Sequence, residues 1–109
     1  MEADRPNKNW KLELRYGKRQ TPYRHYTAIA VGVAGQLIEG FTCPPGNAVM
    51  GMKTWASSPE ESADMIHEIS DQIGFAVKGK VRVYDTEPTQ PPREDPYGYD
   101  ITFTPFASE

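Results

Sequence analysis

Apolar and polar residues alternate with period two along most of this chain. Trp10, Leu12, Leu14 and Tyr16 alternate with Lys11, Glu13 and Arg15, the mark of a strand with one buried face. Residues 17–22 read as a loop. The run 26–33 is β-rich, with Ile29, Val31 and Val33 on one face. Ala34-Gly35 then supplies a turn, since glycine accepts positive φ. Leu37, Ile38 and Phe41 predict a third strand. Pro44-Pro45-Gly46-Asn47 is a turn signal. Residues 48–56 predict a fourth strand, its alternation blurred by Met50, Gly51 and Met52.

One segment switches to helical periodicity. Ser58 occupies the N-cap position, Pro59 the first helical position and Glu61 the third, a capping box. Acids in the first turn suit the helix dipole. Ile66, Ile69 and Ile73 form a narrow apolar stripe, and Gly74 is a natural C′ residue. The helix is therefore expected over 59–73. Beyond it, Val77, Val81 and Val83 alternate with Lys78, Lys80 and Arg82, and Tyr97, Tyr99, Ile101 and Phe103 alternate with Asp100, Thr102 and Thr104. Between these last two strands, residues 85–96 form a charged, proline-rich loop. It is long for a hairpin connection, and such loops are often functional or mobile.

The pattern predicts an α+β fold: an antiparallel sheet of about six strands in the order β-β-β-β-α-β-β, with one helix packed across one concave face. One helix cannot cover both faces, and one-sided alternation agrees with an open second face. Residues 1–9 lack periodicity and are expected to be a disordered N-terminal segment, leaving a single α+β domain over 10–106. The ten prolines fall at boundaries between periodic segments. Cys43 is the one cysteine, so no internal disulfide forms, which suits a reducing compartment. The start lacks an apolar signal core, and the longest apolar stretch, 28–34, is far short of the roughly 20 residues that cross a bilayer. A cytoplasmic location without membrane contact is expected.

Charge adds an asymmetry. Residues 1–30 carry seven Lys/Arg against three Asp/Glu, and residues 31–109 carry five against twelve. The bases interleave with aromatics between Arg15 and Tyr26, which points to a partner more than to chemistry. By strand parity, Lys11, Glu13 and Arg15, then Lys78, Lys80 and Arg82, then Asp100, Thr102 and Thr104 would share the open sheet face. A basic face with tyrosines beside it is the footprint of a single-stranded nucleic-acid platform. Against it stands the acidic chain, with a pI near 5.4, and the common use of Lys and Arg to blunt edge strands.

Chemistry has few candidates. His67 shares a helix face with Asp64 and Asp71, which suits either a divalent cation or a solvated acidic surface. Cys43 precedes two prolines and is a nucleophile only if a base such as His25 approaches; otherwise it is a small semi-buried apolar residue. Gly32-Val33-Ala34-Gly35 lacks the Lys-Ser/Thr ending of a phosphate loop. No cofactor or metal site is expected. The chain reads as a small cytosolic non-enzymatic binding or regulatory module, acting through a protein or small-ligand interaction surface. The expected contact residues are Arg15, Tyr16, Arg19, Tyr23, Arg24, Tyr26, Lys78, Lys80, Arg82 and Tyr97, with the loop 85–99. The alternatives are single-stranded nucleic-acid binding on the basic face and a small enzyme using His25 or Cys43. A homodimer paired through an exposed edge strand is the expected mode of self-association.

Overall fold

The computed structural model describes residues 10–17 and 20–107. The expected disordered segment 1–9 lies outside them, as does Arg19. The elements are α1 (Trp10–Arg15), β1 (Arg24–Ala34), β2 (Gly46–Ala56), α2 (Pro59–Ile73), β3 (Phe75–Val77), β4 (Arg82–Asp85) and β5 (Tyr97–Pro105). The α+β class holds, with an antiparallel sheet of five strands and one main helix. β1 and β2 pair along their full length, β5 lies beside β2, and β3 and β4 share the other edge of β1.

Three expected strands differ. The first is the helix α1: Trp10 and Leu14 are four apart and reach the same cluster, whereas Leu12 is half exposed. So short a run fits both periods, and the five residues after Trp10, all Lys, Leu, Glu or Arg, favour helix. The third does not form. Residues 35–45 instead cap α2, with Ile38 N–H donating to the Ile73 carbonyl oxygen at 3.1 Å and Gly35 N–H to that of Gly74 at 3.2 Å. These bonds satisfy carbonyls that a helix end leaves unpaired. Gly74, at φ 98°, lies so close to this segment that a Cβ there would stand 2.6 Å from the Gln36 carbonyl oxygen. The fifth is broken into β3 and β4. From Gly32 to Ile29 on β1, the facing chain advances from Val77 to Arg82, so two extra residues bulge out around Gly79.

The helix face of the sheet is built from small and flexible side chains. Ala28, Ala30, Ala34, Ala48, Met50 and Met52 are fully buried against Ile66, Ile73 and Phe75. Ile29, Val31 and Val33 occupy the opposite, outer face, and Val31 is 44% exposed. Alanines under α2 let the helix approach, which bulkier β-branched residues would prevent. Gly32 lets β3 come close in the same way: a Cβ there would overlap the Ala76 carbonyl oxygen and the Phe75 ring.

α2 spans the expected residues. Ser58 Oγ accepts from Glu61 N–H at 3.1 Å, and Glu61 reaches back to Ser57 N–H at 2.7 Å, one residue earlier than a capping box requires. Ser62 is buried and bonds Thr54 Oγ1 on β2 at 2.7 Å. Replacing the fully buried Ile66 by alanine should cost about 2–5 kcal/mol through the cavity left, and Ser58→Ala about 0.5–2 kcal/mol through the lost cap. Denaturant melts check both, and an Ile66→Ala protein as stable as wild type would contradict this packing.

Candidate functional site

The sheet has one elaborated end. His25 on β1 pairs with Trp55 on β2, which pairs with Tyr97 on β5, so the three lie in one row on the outer face. Tyr99 joins them because β5 bulges. Between the pairs Gly51–Thr102 and Lys53–Tyr99, the single residue Met52 on β2 faces two on β5, Ile101 and Asp100. Asp100 takes up the extra length at φ 56°, a left-handed conformation that Asp tolerates better than most residues. Its carboxylate bonds Lys53 Nζ at 2.8 Å, which raises the Lys53 pKa. The bulge flips side-chain parity. Tyr97 and Tyr99 face outward with Trp55, whereas Ile101 and Phe103 face α2. They do not share the one face that their alternation suggested.

The chain between β4 and β5 completes this end. β4 is beside β1 and β5 beside β2, so residues 86–96 must cross three inter-strand steps, roughly 14 Å at about 4.8 Å each. They cross on the outer face as a strap held by aromatic side chains. Trp55 Nε1–H donates to the Gln90 carbonyl oxygen at 2.8 Å, Tyr97 O–H to that of Pro91, and Tyr23 O–H to that of Glu94 at 3.0 Å. The Arg93 guanidinium lies 4.1 Å from the centre of the Tyr97 ring. Burial raises the Tyr97 pKa, and Arg93 opposes that rise.

His25 and Tyr99 anchor the strap. The Tyr99 hydroxyl accepts from Thr89 N–H at 3.0 Å and Gln90 N–H at 3.2 Å. With both lone pairs used, its proton goes to His25 Nε2, 2.7 Å away. Nε2 is therefore the acceptor, and the protonated Nδ1 donates to the Thr86 carbonyl oxygen at 3.0 Å. The tautomer follows from this network. Burial holds the His25 pKa below 6.5, helped by the Lys53 charge and opposed by the Thr86 bond and Glu87. His25 stays neutral, its ring edge-on to Trp55 with centroids 5.1 Å apart.

A pocket of about 440 Å³ opens between the strap and α1. It is lined by Trp10 and Leu14 of α1, which pack in one cluster with Trp55, and by Trp55, His25 and Pro88. Its rim carries Lys11, Arg15 and Arg24 against Asp85 and Glu87. Lys11 Nζ lies 5.6 Å from the Trp10 ring centre. Among the described residues, neither arginine is within ion-pair distance of a carboxylate.

The structure gathers some expected site residues and disperses others. Arg15 and Arg24 line the pocket; Tyr23 and Tyr97 hold the strap. Tyr16 is exposed beyond α1. Tyr26 is 3% exposed on the helix face, a core residue and not a contact residue. The basic sheet face is not formed: Lys11 and Arg15 are on α1, Lys78 and Lys80 lie in the bulge between β3 and β4, and Arg82 alone sits on a strand, opposite Ile29. Cys43 packs half-buried against the α2 core at the far end of the β1–β2 ladder from His25. His67 is exposed on α2, and among the described residues no three His, Cys, Asp or Glu side chains are grouped to hold a metal. No helix among them is long and apolar enough to cross a membrane. Sequence reasoning missed Trp10, Trp55 and Tyr99; the available signal was the proline-rich loop ending in Tyr97-Gly98-Tyr99. Comparison with protein-family models, curated proteins and solved structures gives no match.

Two outcomes follow from the anchor. Tyr99→Phe strands the part-buried N–H donors of Thr89 and Gln90 and the acceptor nitrogen of the buried His25 ring, so it should cost about 1–3 kcal/mol in denaturant melts; a loss below about 0.5 kcal/mol would contradict the network. The pH effect has a fixed sign. Because the folded pKa lies below 6.5, the unfolded chain takes up the proton first as pH falls. Stability from His25 is complete above about 6.5 and declines below it. Urea midpoints at pH 7.5 and 5.5 should therefore fall more for wild type than for His25→Gln, and equal falls would contradict a neutral His25.

Proposed function

We propose that this protein is a non-enzymatic binding module whose pocket takes a small ligand with a flat apolar body and one anionic group. The observation that carries the reading is the pocket's make-up: two indoles and a leucine beside three cations, two of them arginines without a carboxylate partner among the described residues. Its volume of about 440 Å³ falls in the range of small-molecule sites, roughly 300–1,000 Å³. Tryptophan faces bind planar groups through area and quadrupole, and guanidinium groups bind carboxylate or phosphate in two-pronged fashion. Asp85 and Glu87 set the polarity of the rim, so a ligand's charged end is directed toward α1 and Arg24.

A catalytic role for His25 lacks a free nitrogen, since both are bonded within the protein, and Cys43 is at the other end of the ladder. The single-stranded nucleic-acid reading rested on a basic sheet face, and four of its five bases lie off the strands.

Tryptophan fluorescence tests the proposal with naphthalene-2-sulfonate as probe and naphthalene-2-methanol as its uncharged counterpart. The sulfonate should quench saturably and bind about tenfold tighter than the alcohol, a difference of about 1.4 kcal/mol. Arg24→Ala should abolish most of that preference. Equal affinity for the two probes, or no saturable quenching, would contradict the reading.

A further inference from the structure

The strap is seated on its aromatic support in a way that identifies a class of partner. The segment Pro88-Thr89-Gln90-Pro91-Pro92-Arg93 has the spacing Pro-x-x-Pro-x-Arg. Its prolines have no N–H, so their backbone presents carbonyl acceptors. The support supplies the complementary donors: the Trp55 indole to Gln90, the Tyr97 hydroxyl to Pro91 and the Tyr23 hydroxyl to Glu94. The Arg93 guanidinium covers the Tyr97 ring at 4.1 Å. Aromatic grooves that read proline-rich segments use this chemistry, with Trp and Tyr donating to carbonyls, rings packing on prolines and a flanking cation fixing direction. Most of these contacts are main-chain or ring contacts, which any segment of the same spacing reproduces.

We propose that the cradle of Tyr23, Trp55 and Tyr97 is a recognition site for proline-rich Pro-x-x-Pro-x-Arg segments of a partner protein, and that residues 88–93 occupy it as an internal ligand. The strap is tethered at both ends, so the partner competes against an intramolecular occupant at an effective concentration on the order of millimolar. Partner binding is therefore weak while the strap is seated and strong once it is displaced. The inference does not require the small ligand proposed for the pocket: Trp55 and Pro88 border both sites, but Arg24 is not part of the cradle and Tyr97 does not line the pocket, so Arg24→Ala tests the pocket and Tyr97→Phe the cradle.

The test uses a synthetic peptide with the sequence of residues 87–94. In a variant whose strap is loosened by Pro88→Gly, Pro91→Gly, Pro92→Gly and Arg93→Ser, the peptide should bind saturably and shift the Trp55 indole N–H resonance. Its affinity for that variant should be at least tenfold higher than for wild type. Tyr97→Phe in the same background should weaken it about tenfold, and a peptide with its prolines replaced by alanine should not bind. In wild type, the native peptide at several millimolar should shift the same resonance partially, a readout that remains if the loosened variant fails to fold. No shift by a folded variant, equal binding of the alanine peptide, or, where the variant is unfolded, no shift in wild type would overturn the proposal.

Discussion

The hydrogen bond from Tyr99 to His25 governs how this chain crosses its own sheet. Residues 86–96 run over two central strands to connect the edges, which places the part-buried amides of Thr89 and Gln90 against an aromatic surface. An N–H shielded from water without a partner costs up to about 1–3 kcal/mol. Tyr99 accepts two of them, from Thr89 and Gln90, and passes its own proton to His25, which in turn holds the Thr86 carbonyl oxygen. Three backbone groups of the strap are satisfied by one phenol on β5 and one imidazole on β1. Chains of this kind succeed or fail together, because each member's orientation fixes that of the next.

The two sheet faces serve different ends because β5 changes parity midway. Beyond the bulge, Phe103 packs near Phe75 under α2, with ring centroids 5.7 Å apart. Before it, Tyr97 and Tyr99 stand on the other face. If Asp100 continued a regular ladder in place of the bulge, Tyr99 would pair with Thr54, both tyrosines would point toward α2 and the strap would lose its anchor. The ion pair from Asp100 to Lys53 is exposed and adds little by itself; the backbone turn is what positions the site. The pocket is a by-product of that crossing, since α1 and the strap cover one end of a face that elsewhere shows Val31 to solvent.

Local signals explain which parts of this arrangement were legible in the sequence. α2 was readable end to end, because Ser58, Pro59, the isoleucine stripe and Gly74 each act within a turn or two. β1 and β2 were readable as strands, but their inward face was not: three β-branched residues outweigh three alanines in any hydrophobic pattern, and only the close approach of α2 reverses that ranking. The alternation around Trp10 satisfied two periods at once, and tertiary contact with Trp55 decided for helix. The bulge at Asp100 left no mark in an alternation that continues unbroken through it. The site was half legible. The segments 15–26 and 85–99 stood out by charge, prolines and tyrosines, yet their meeting depends on strand order, which no single segment encodes. His25 drew notice as a candidate base, and its place in a structural relay required knowing that Tyr99 lies beside it.

The tautomer of His25 tests this account most directly, by long-range nitrogen–proton correlation NMR on uniformly labelled protein at pH 7. The account requires a neutral imidazole protonated at Nδ1, with Nε2 at the chemical shift of an unprotonated acceptor. A ring protonated at Nε2, or an imidazolium at that pH, would contradict the relay and with it the seating of the strap.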